Sequence, residues 1–549
     1  MKSEAILHRS RGLDCFALSA YRFRIRLRTA RNDFDEVSVC FTLNKYAWQS
    51  ERKTEVMRKW LSDARYDYYS LDISGSDNRL AYLFILRKNK KTYYFSEEGL
   101  TARYDFEKAY MTFFQYPFVH TCDVHVPVTW ADRAVMYQIF PDRFFNGTGA
   151  KPYINTAWEE KPTPRSFFGG DLAGIESKLD YLQDLGVNCL YLTPVFPSVS
   201  NHKYDISDYF DVDPMFGGKE ALRSLTNALH ARGMRLILDG VFNHCSWDHP
   251  FFKDAEARGK ASPYHDWFFI DGECPDREKI NYLTFGSVRY MPKWNTGCPE
   301  VIDYLTGVGA YWVREFQIDG WRLDVMDEVS EAFLRAFRSR VKQENPDALI
   351  IGELWHEPEY CLRGDMLDGV MNYGLTKACM DYLVSRSLTA EGMRDRLCML
   401  LCRCTAPASR MMMNLLDCHD TDRFLTLLKG DRKRMKLALC ILFFFVGIPC
   451  VYYGDEIGME GGYDPDCRRG FLWDEAKWHI ELREHIKMLS SLRTSGALGG
   501  DDISIRADER VLCIQRSRLR LWINASDEPA AYDTGVLEPL GFQIEETEA

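Results

Sequence analysis

The sequence predicts a multidomain chain: a (β/α)8 barrel of the TIM type, preceded by a β-sandwich, carrying a small domain inserted after its third strand, and followed by a short β-domain. Three observations predict it. Four apolar, β-rich runs, at 236–244, 318–324, 349–353 and 412–420, each end in charged or polar side chains. Strands buried on both faces read as such continuous runs, and barrel enzymes place functional residues where strand passes into loop. Residues 1–122 instead alternate, as in Phe23, Arg24, Ile25, Arg26, Leu27 and Arg28, which is the period-2 pattern of sheets. Finally, 549 residues are too many for one ordinary core.

In chain order, residues 1–122 form the N-terminal sandwich and 123–496 the barrel, whose first strand is expected at 135–140. The insertion spans about 245–295, between the third strand and a helix that starts near Pro299. Residues 437–453 are nearly all apolar and follow Arg432, Lys433, Arg434 and Lys436, which invites a membrane reading. The run is shorter than the roughly 20 residues a span needs, and Gly447 and Pro449 interrupt it. It reads as the end of the seventh barrel helix, a turn, and an eighth strand at 450–453. A helix is expected at 477–492, then a short C-terminal domain, 497–549, with strands at 503–506, 511–515 and 519–523 and a solvated acidic tail at 545–549.

Composition narrows the partners. The net charge of -11, without a basic arm, disfavours nucleic acid, and 14% aromatic residues suit the flat C–H faces of sugars. Seventeen cysteines, an odd number without repeating spacing, point to free thiols in a reducing compartment. The first eight residues lack the apolar core of a secretory signal, so a cytoplasmic protein is expected.

The strand ends deliver Asp239, Asn243, His244, Arg322, Asp324, Glu353, His419 and Asp420. One aspartate at a strand end is an ordinary turn former or helix cap. Carboxylates on four strands, joined by an arginine and two histidines, suit cleavage of a glycosidic bond, where one carboxylate attacks the sugar carbon and a second protonates the leaving oxygen. Arg322 lies two residues before Asp324, so both point to one face, and its charge is expected to keep Asp324 ionised for attack. Glu353 sits among apolar neighbours, where burial would favour its protonated form and make it the donor.

These motifs resemble the α-amylase family of glycoside hydrolases, most of all its cyclomaltodextrinase, neopullulanase and maltogenic amylase group. They are Asp-Gly-Val-Phe-Asn-His (239–244), Gly-Trp-Arg-Leu-Asp-Val-Met-Asp-Glu (320–328), Gly-Glu-Leu-Trp-His (352–356) and Leu-Leu-Asp-Cys-His-Asp-Thr-Asp-Arg (415–423). Met-Pro-Lys-Trp-Asn (291–295) is similar to a loop motif of the group, with Trp294 where an aliphatic residue is usual. The resemblance implies a retaining mechanism with Asp324 as nucleophile, Glu353 as acid/base and Asp420 as the third carboxylate, gripping the distorted sugar. It implies that His244, Arg322, His419 and the stacking Tyr204 surround the cleaved sugar, and that Asp464 and Arg468 bond the same or an adjacent one. Trp355 and Glu328 fall on the leaving-group side, where hydrolysis is tuned against transfer, and Phe285 joins them as a substrate-binding aromatic.

The implied substrates are cyclodextrins, maltooligosaccharides and possible pullulan or starch. The alternatives are a mainly transglycosylating α-glucanotransferase and a non-catalytic sugar-binding barrel. A homodimer is implied too, with the sandwich leaning over the partner's site and an aromatic of its loop, Tyr46 or Trp48, reaching the sugar. The group often binds calcium after the first strand. Asn146, Gly169 and Asp171 remain as candidate metal ligands, but Thr148 stands where an aspartate is expected, so calcium binding should be weak or absent and no cofactor is required.

Overall fold

A computed structural model describes residues 1–107 and 111–547. The alternating N-terminal runs become two antiparallel sheets. One has the order Cys15–Ser19, Arg22–Ala30, Tyr66–Ser74, Arg58–Ser62. The other runs Lys53–Val56, Glu36–Thr42, Leu80–Lys88, Lys91–Ser96, Gly99–Thr101, with Phe114–Tyr116 also on Leu80–Lys88. Phe23, Ile25, Leu27, Val39, Tyr82 and Phe84 fill the space between them. The arginine face of Arg22–Ala30 lies against the rest of the protein: Arg26 is buried and donates to the Cys404 carbonyl at 2.8 Å, and Arg24 pairs with Asp501. Leu61 joins the core of the barrel itself.

The barrel strands are Met136–Ile139, Cys189–Leu192, Arg235–Gly240, Gly320–Leu323, Leu349–Gly352, Gly369–Val370, Met413–Asn414 and Ile448–Tyr452. Each pairs in parallel with the next and the eighth returns to the first; the sixth and seventh are joined through one parallel bridge, Met371 to Met413. Gly320 permits the close spacing, since a Cβ there would stand 2.1 Å from the Leu349 carbonyl oxygen. The apolar run beyond Arg432 resolves into the helix Arg432–Phe444 and the eighth strand, which begins at Ile448 rather than at residue 450 because Ile448 and Pro449 pair with Met413 and Asn414. Among the described residues no helix is long and apolar enough to cross a membrane.

The inserted segment contains the helix Pro250–Arg258 and is laced to the barrel by isolated bridges, His244 to Lys293 and Phe268 to Trp294. After the helix Ile480–Thr494, which starts three residues later than expected, Ile503–Ala507, Val511–Arg516, Leu519–Asn524 and Gly541–Glu546 form one sheet and Ala530–Tyr532 with Gly535–Leu537 a hairpin. The acidic C-terminus is therefore not a free tail through Thr547. Glu545 and Glu546 pair with Arg520 and Leu519, and Glu545 accepts the Trp522 indole N–H at 3.2 Å. The carboxylates lie at an edge rich in arginine, which offsets their charge. All seventeen cysteines are unpaired.

Candidate active site

A cavity of about 870 Å³ opens at the ends of the barrel strands, lined by Tyr204, His244, Phe285, Asp324, Glu353, Trp355, Asp420, Asp464 and Arg468 among others. Asp324 and Glu353 each follow directly on a strand end, Leu323 and Gly352. Gly352 is required there, because a Cβ would come within 2.6 Å of both Leu367 and Met326. Asp420 sits six residues past the very short seventh strand, on a loop.

Arg322 lies at the bottom of the cavity. Its Nη1 donates to Asp324 Oδ1 at 2.8 Å and to Asp239 at 2.9 Å, while Nη2 stands 2.8 Å from Glu353 Oε2, close enough for ionic attraction but out of line for a hydrogen bond. One buried guanidinium thus serves three carboxyl groups. Burial pushes Asp324 well above the usual carboxylate range; Arg322 pulls it back, and Glu353 and Asp239 push it up again. Asp239 is also raised, by burial first, with Arg322 opposing. The expectation that the Arg322 charge keeps Asp324 ionised is not met, because burial outweighs it and the charge is shared with Asp239 and Glu353.

Glu353 does not lie in the purely apolar pocket its sequence neighbours suggested. Oε2 accepts the Val325 amide at 3.0 Å in addition to facing Arg322, and Oε1 accepts the Trp355 indole N–H at 3.0 Å. That indole is 48% exposed and stacks on Tyr373 at 3.5 Å between ring centroids and 9° between planes. Tyr373 lines the cavity and was not picked out from the sequence, because the sixth strand that carries it is only Gly369–Val370 and leaves no apolar run to mark its end.

A second set of bonds fixes the opposite wall. Gln138 Nε2 donates to His419 Nδ1 at 2.7 Å, which leaves the ring proton on Nε2, 2.6 Å from the Tyr204 hydroxyl and 3.1 Å from Asp420 Oδ2. Tyr204 in turn donates to Asp239 Oδ2 at 2.9 Å, and its ring lies parallel to that of His419 at 5.5 Å. Burial first, then Arg468 and Arg322, hold His419 well below the usual histidine range, so it is neutral. His244 is lowered to about 3, again chiefly by burial. Its Nδ1 faces the Asn243 amide at 3.3 Å, Nε2 is buried without a hydrogen-bond partner among the described residues, and its ring stacks on Phe285 at 4.8 Å. Arg468 bridges Asp420 at 3.2 Å and Asp464 at 3.0 Å. Glu328 pairs with Lys293 at 2.8 Å, and Lys293 also donates to Asn243, so the Met-Pro-Lys-Trp-Asn loop ties the third strand to the loop after the fourth.

Two aromatics fall elsewhere. Trp294 is 1% exposed and packs on Phe268, away from any sugar. Trp48 is 2% exposed, sandwiched with Phe113 and Phe106, so it cannot reach a partner's site, whereas Tyr46 is 78% exposed.

The candidate metal ligands do not fit calcium. The Lys151 ammonium donates to the Gly169 carbonyl at 2.7 Å and to Asp171 Oδ2 at 2.6 Å, and Asp171 also accepts from Thr148 Oγ1 and the Gly147 and Gly174 amides. The Asn146 side-chain oxygen is taken by the Thr148 and Gly149 amides. The Lys151 ammonium stands among these oxygens, and Asn146, Gly169 and Asp171 together offer fewer than the six to eight that calcium takes.

Comparison with known proteins agrees with this geometry. Residues 138–495 match the family model described as alpha amylase, catalytic domain, and residues 1–120 the alpha amylase N-terminal ig-like domain. A cyclomaltodextrinase of Geobacillus thermopakistaniensis is 43% identical over 525 residues, 93% of this chain and 88% of that protein. An intracellular maltogenic amylase of Bacillus subtilis is 40% identical over 502 residues, 90% of this chain and 84% of that protein. A solved cyclomaltodextrinase structure superposes with a TM-score of 0.91 at 38% identity, covering 96% of this chain and 92% of that one.

Proposed function

Because the chain belongs to the α-amylase family and is a retaining glycosidase of α-1,4-glucosidic bonds, we propose that cyclodextrins and short maltooligosaccharides are its preferred substrates, ahead of pullulan and starch. Asp324 attacks the anomeric carbon and Glu353 gives its proton to the departing glycosidic oxygen, so the C–O bond breaks as a glycosyl ester to Asp324 forms. Water, deprotonated by Glu353, then cleaves the ester and restores both carboxyl groups.

The observation that carries this reading is the sharing of Arg322 by Asp239, Asp324 and Glu353. One guanidinium brings the nucleophile and the proton donor to the same point of the cavity, and burial raises Asp239 and Asp324 beside it. Positive charge growing on the sugar beside Asp324 favours its anion and leaves the proton for Glu353. Asp420, braced by Arg468 and His419, and His244, with Nε2 unpartnered, receive the sugar's hydroxyls. A second reading, transfer to another sugar, is favoured by the exposed Trp355 face beside Glu353, where an acceptor stacks in place of water.

We further place the protein in the cytoplasm as a homodimer, independent of calcium, with Tyr46 of one protomer near the sugar site of the other. Its exposed ring and the free thiols support this. Product analysis on cyclodextrin, maltotetraose, pullulan and soluble starch tests the reading: faster turnover of starch than of cyclodextrin overturns it.

A further inference from the structure

We propose that Tyr373 is a positioning residue for proton donation: it holds the Trp355 indole in place, and the indole N–H in turn fixes Glu353 so that Oε1 faces the leaving group. This rests on the assignment of Glu353 as the acid/base.

The two oxygens of Glu353 have different fates. Oε2 accepts the Val325 amide and lies 2.8 Å from the positive Arg322 Nη2, whose charge disfavours a proton on that oxygen. Among the described residues Oε1 has the Trp355 indole as its one partner, which can donate and never accept. One lone pair of Oε1 is thereby occupied, and a proton on that oxygen takes the other direction, into the cavity. Without the indole, the carboxyl group turns about its last torsion, a broad and soft one. The proton then points away from the glycosidic oxygen in part of the population.

What holds the indole is not burial, since nearly half of it is exposed. Behind it lies a second cavity of about 320 Å³, bordered by Met371, Asn372, Leu400, Arg403 and Met412, and both Trp355 and Tyr373 line both cavities. The pair is the partition between them, and the indole has room to swing either way. The stack on Tyr373 opposes that swing. Tyr373 itself is fixed: it is buried, its hydroxyl rests on Cys418 Sγ at 3.6 Å and Met371 Sδ at 3.9 Å, and it opens the helix Tyr373–Cys379, which Asn372 caps.

The test compares two substrates, because positioning of an acid matters only when the leaving group needs a proton. Maltotetraose needs one and α-maltosyl fluoride does not. Tyr373→Ala and Trp355→Phe should lower kcat on maltotetraose by about tenfold or more with KM little changed, and lower the rate of the first fluoride release, measured before the ester is hydrolysed, by less than about threefold. Tyr373→Phe, which keeps the ring, should retain wild-type values on both. Equal losses on the two substrates, or no loss in either variant, overturn the proposal. If Tyr373→Ala does not fold, the Trp355→Phe result decides alone, since that side chain is half exposed. Glu353→Gln run in parallel separates the two levels: loss even of the first, acid-independent release of fluoride there shows that Glu353, not Tyr373, was misassigned.

Discussion

The amide of Val325 donates to Glu353 Oε2 at 3.0 Å from a residue whose φ is +45°. Left-handed backbone is a genuine outlier for a β-branched side chain and costs of the order of 1–3 kcal/mol. The strain buys a short link between the proposed nucleophile Asp324 and the proposed acid, since the turn that aims the amide starts right after Asp324. Val325→Gly removes the strain but also the rigidity. Melting temperature should change by only a few degrees, because relief of strain and loss of a partly buried side chain oppose each other. kcat on maltotetraose should fall by about tenfold, equivalent to about 1.4 kcal/mol. Unchanged turnover counts against a role for the strained turn.

Asp324→Asn should fold normally and lose nearly all turnover, because an amide cannot form the glycosyl ester. Retention of more than a few per cent sinks that assignment. Glu353→Gln should lose a factor of about 10² to 10⁴ on maltotetraose and far less in the first release of fluoride from α-maltosyl fluoride, which needs no acid, whereas later turnovers need Glu353 as base.

The barrel and the strand-end positions of the proposed pair Asp324 and Glu353 were legible because each rests on local sequence. Asp324 and Glu353 sit directly on strand ends, so an apolar run followed by an acid points to them. Tyr373 was illegible because its strand is two residues long, and the fate of Trp48 because a loop tryptophan that packs on Phe113 reads the same as one that faces a sugar. The charge state of Asp324 could not be read from Arg322 two residues away, since the competing carboxylates Asp239 and Glu353 come from other strands. Nor could the acidic C-terminus be seen as a strand, because its pairing partner, Leu519–Asn524, is more than twenty residues off in the chain.

Lys151 offers a stability test. Burial alone would raise Asp171, but the Lys151 ammonium, Thr148 and the Gly174 and Gly147 amides outweigh it and hold the carboxyl below its usual range. A depressed carboxylate contributes stability above its unfolded value near 4, and that contribution is lost as pH falls through its folded value. Lys151→Ala leaves the buried Asp171 unpaired and should cost about 3 kcal/mol at pH 7, the order found for broken buried pairs. Chelator should leave the wild type unchanged in melting temperature and activity. A fall of many degrees on chelation, reversed by calcium, shows that the lysine does not replace an ion.

Acid sensitivity should come from histidines rather than from the catalytic carboxylates. His202, His244 and His249 are lowered to about 3 and His8, His125 and His485 to about 4, all chiefly by burial. The unfolded chain takes up these protons near pH 6.5 and the folded one does not, so the stability they confer is complete above about 6.5 and is lost as pH falls. Each group contributes up to about 1.4 kcal/mol per pH unit below that value. Melting temperature should be flat from pH 7 to 8 and fall steeply between about 6 and 4.5. A flat curve across that lower window contradicts the burial of these rings as neutral species.

The proposed dimer sets the last expectation. Deleting residues 1–122 is a blunt test, because Arg26 donates into the barrel at Cys404, Arg24 pairs with Asp501 and Leu61 belongs to the barrel core. Tyr46→Ala is cleaner: the ring is 78% exposed, and among the described residues Lys45 and Arg79 lie over it, so the fold loses little. If Tyr46 of one protomer stacks on sugar held by the other, its removal forfeits about 1 kcal/mol of stacking, a factor of about five in affinity. Cyclodextrin, whose compact ring fills the narrowed site, should lose kcat/KM by roughly that factor, while soluble starch, hindered by the same narrowing, should lose less or gain. Turnover of α-maltosyl fluoride, which occupies only the barrel's own walls, should not move. A full-length protein that sediments as a monomer at micromolar concentration and still prefers cyclodextrin removes the partner from the account, and selectivity then belongs to Phe285, Trp355 and the other loops around the cavity.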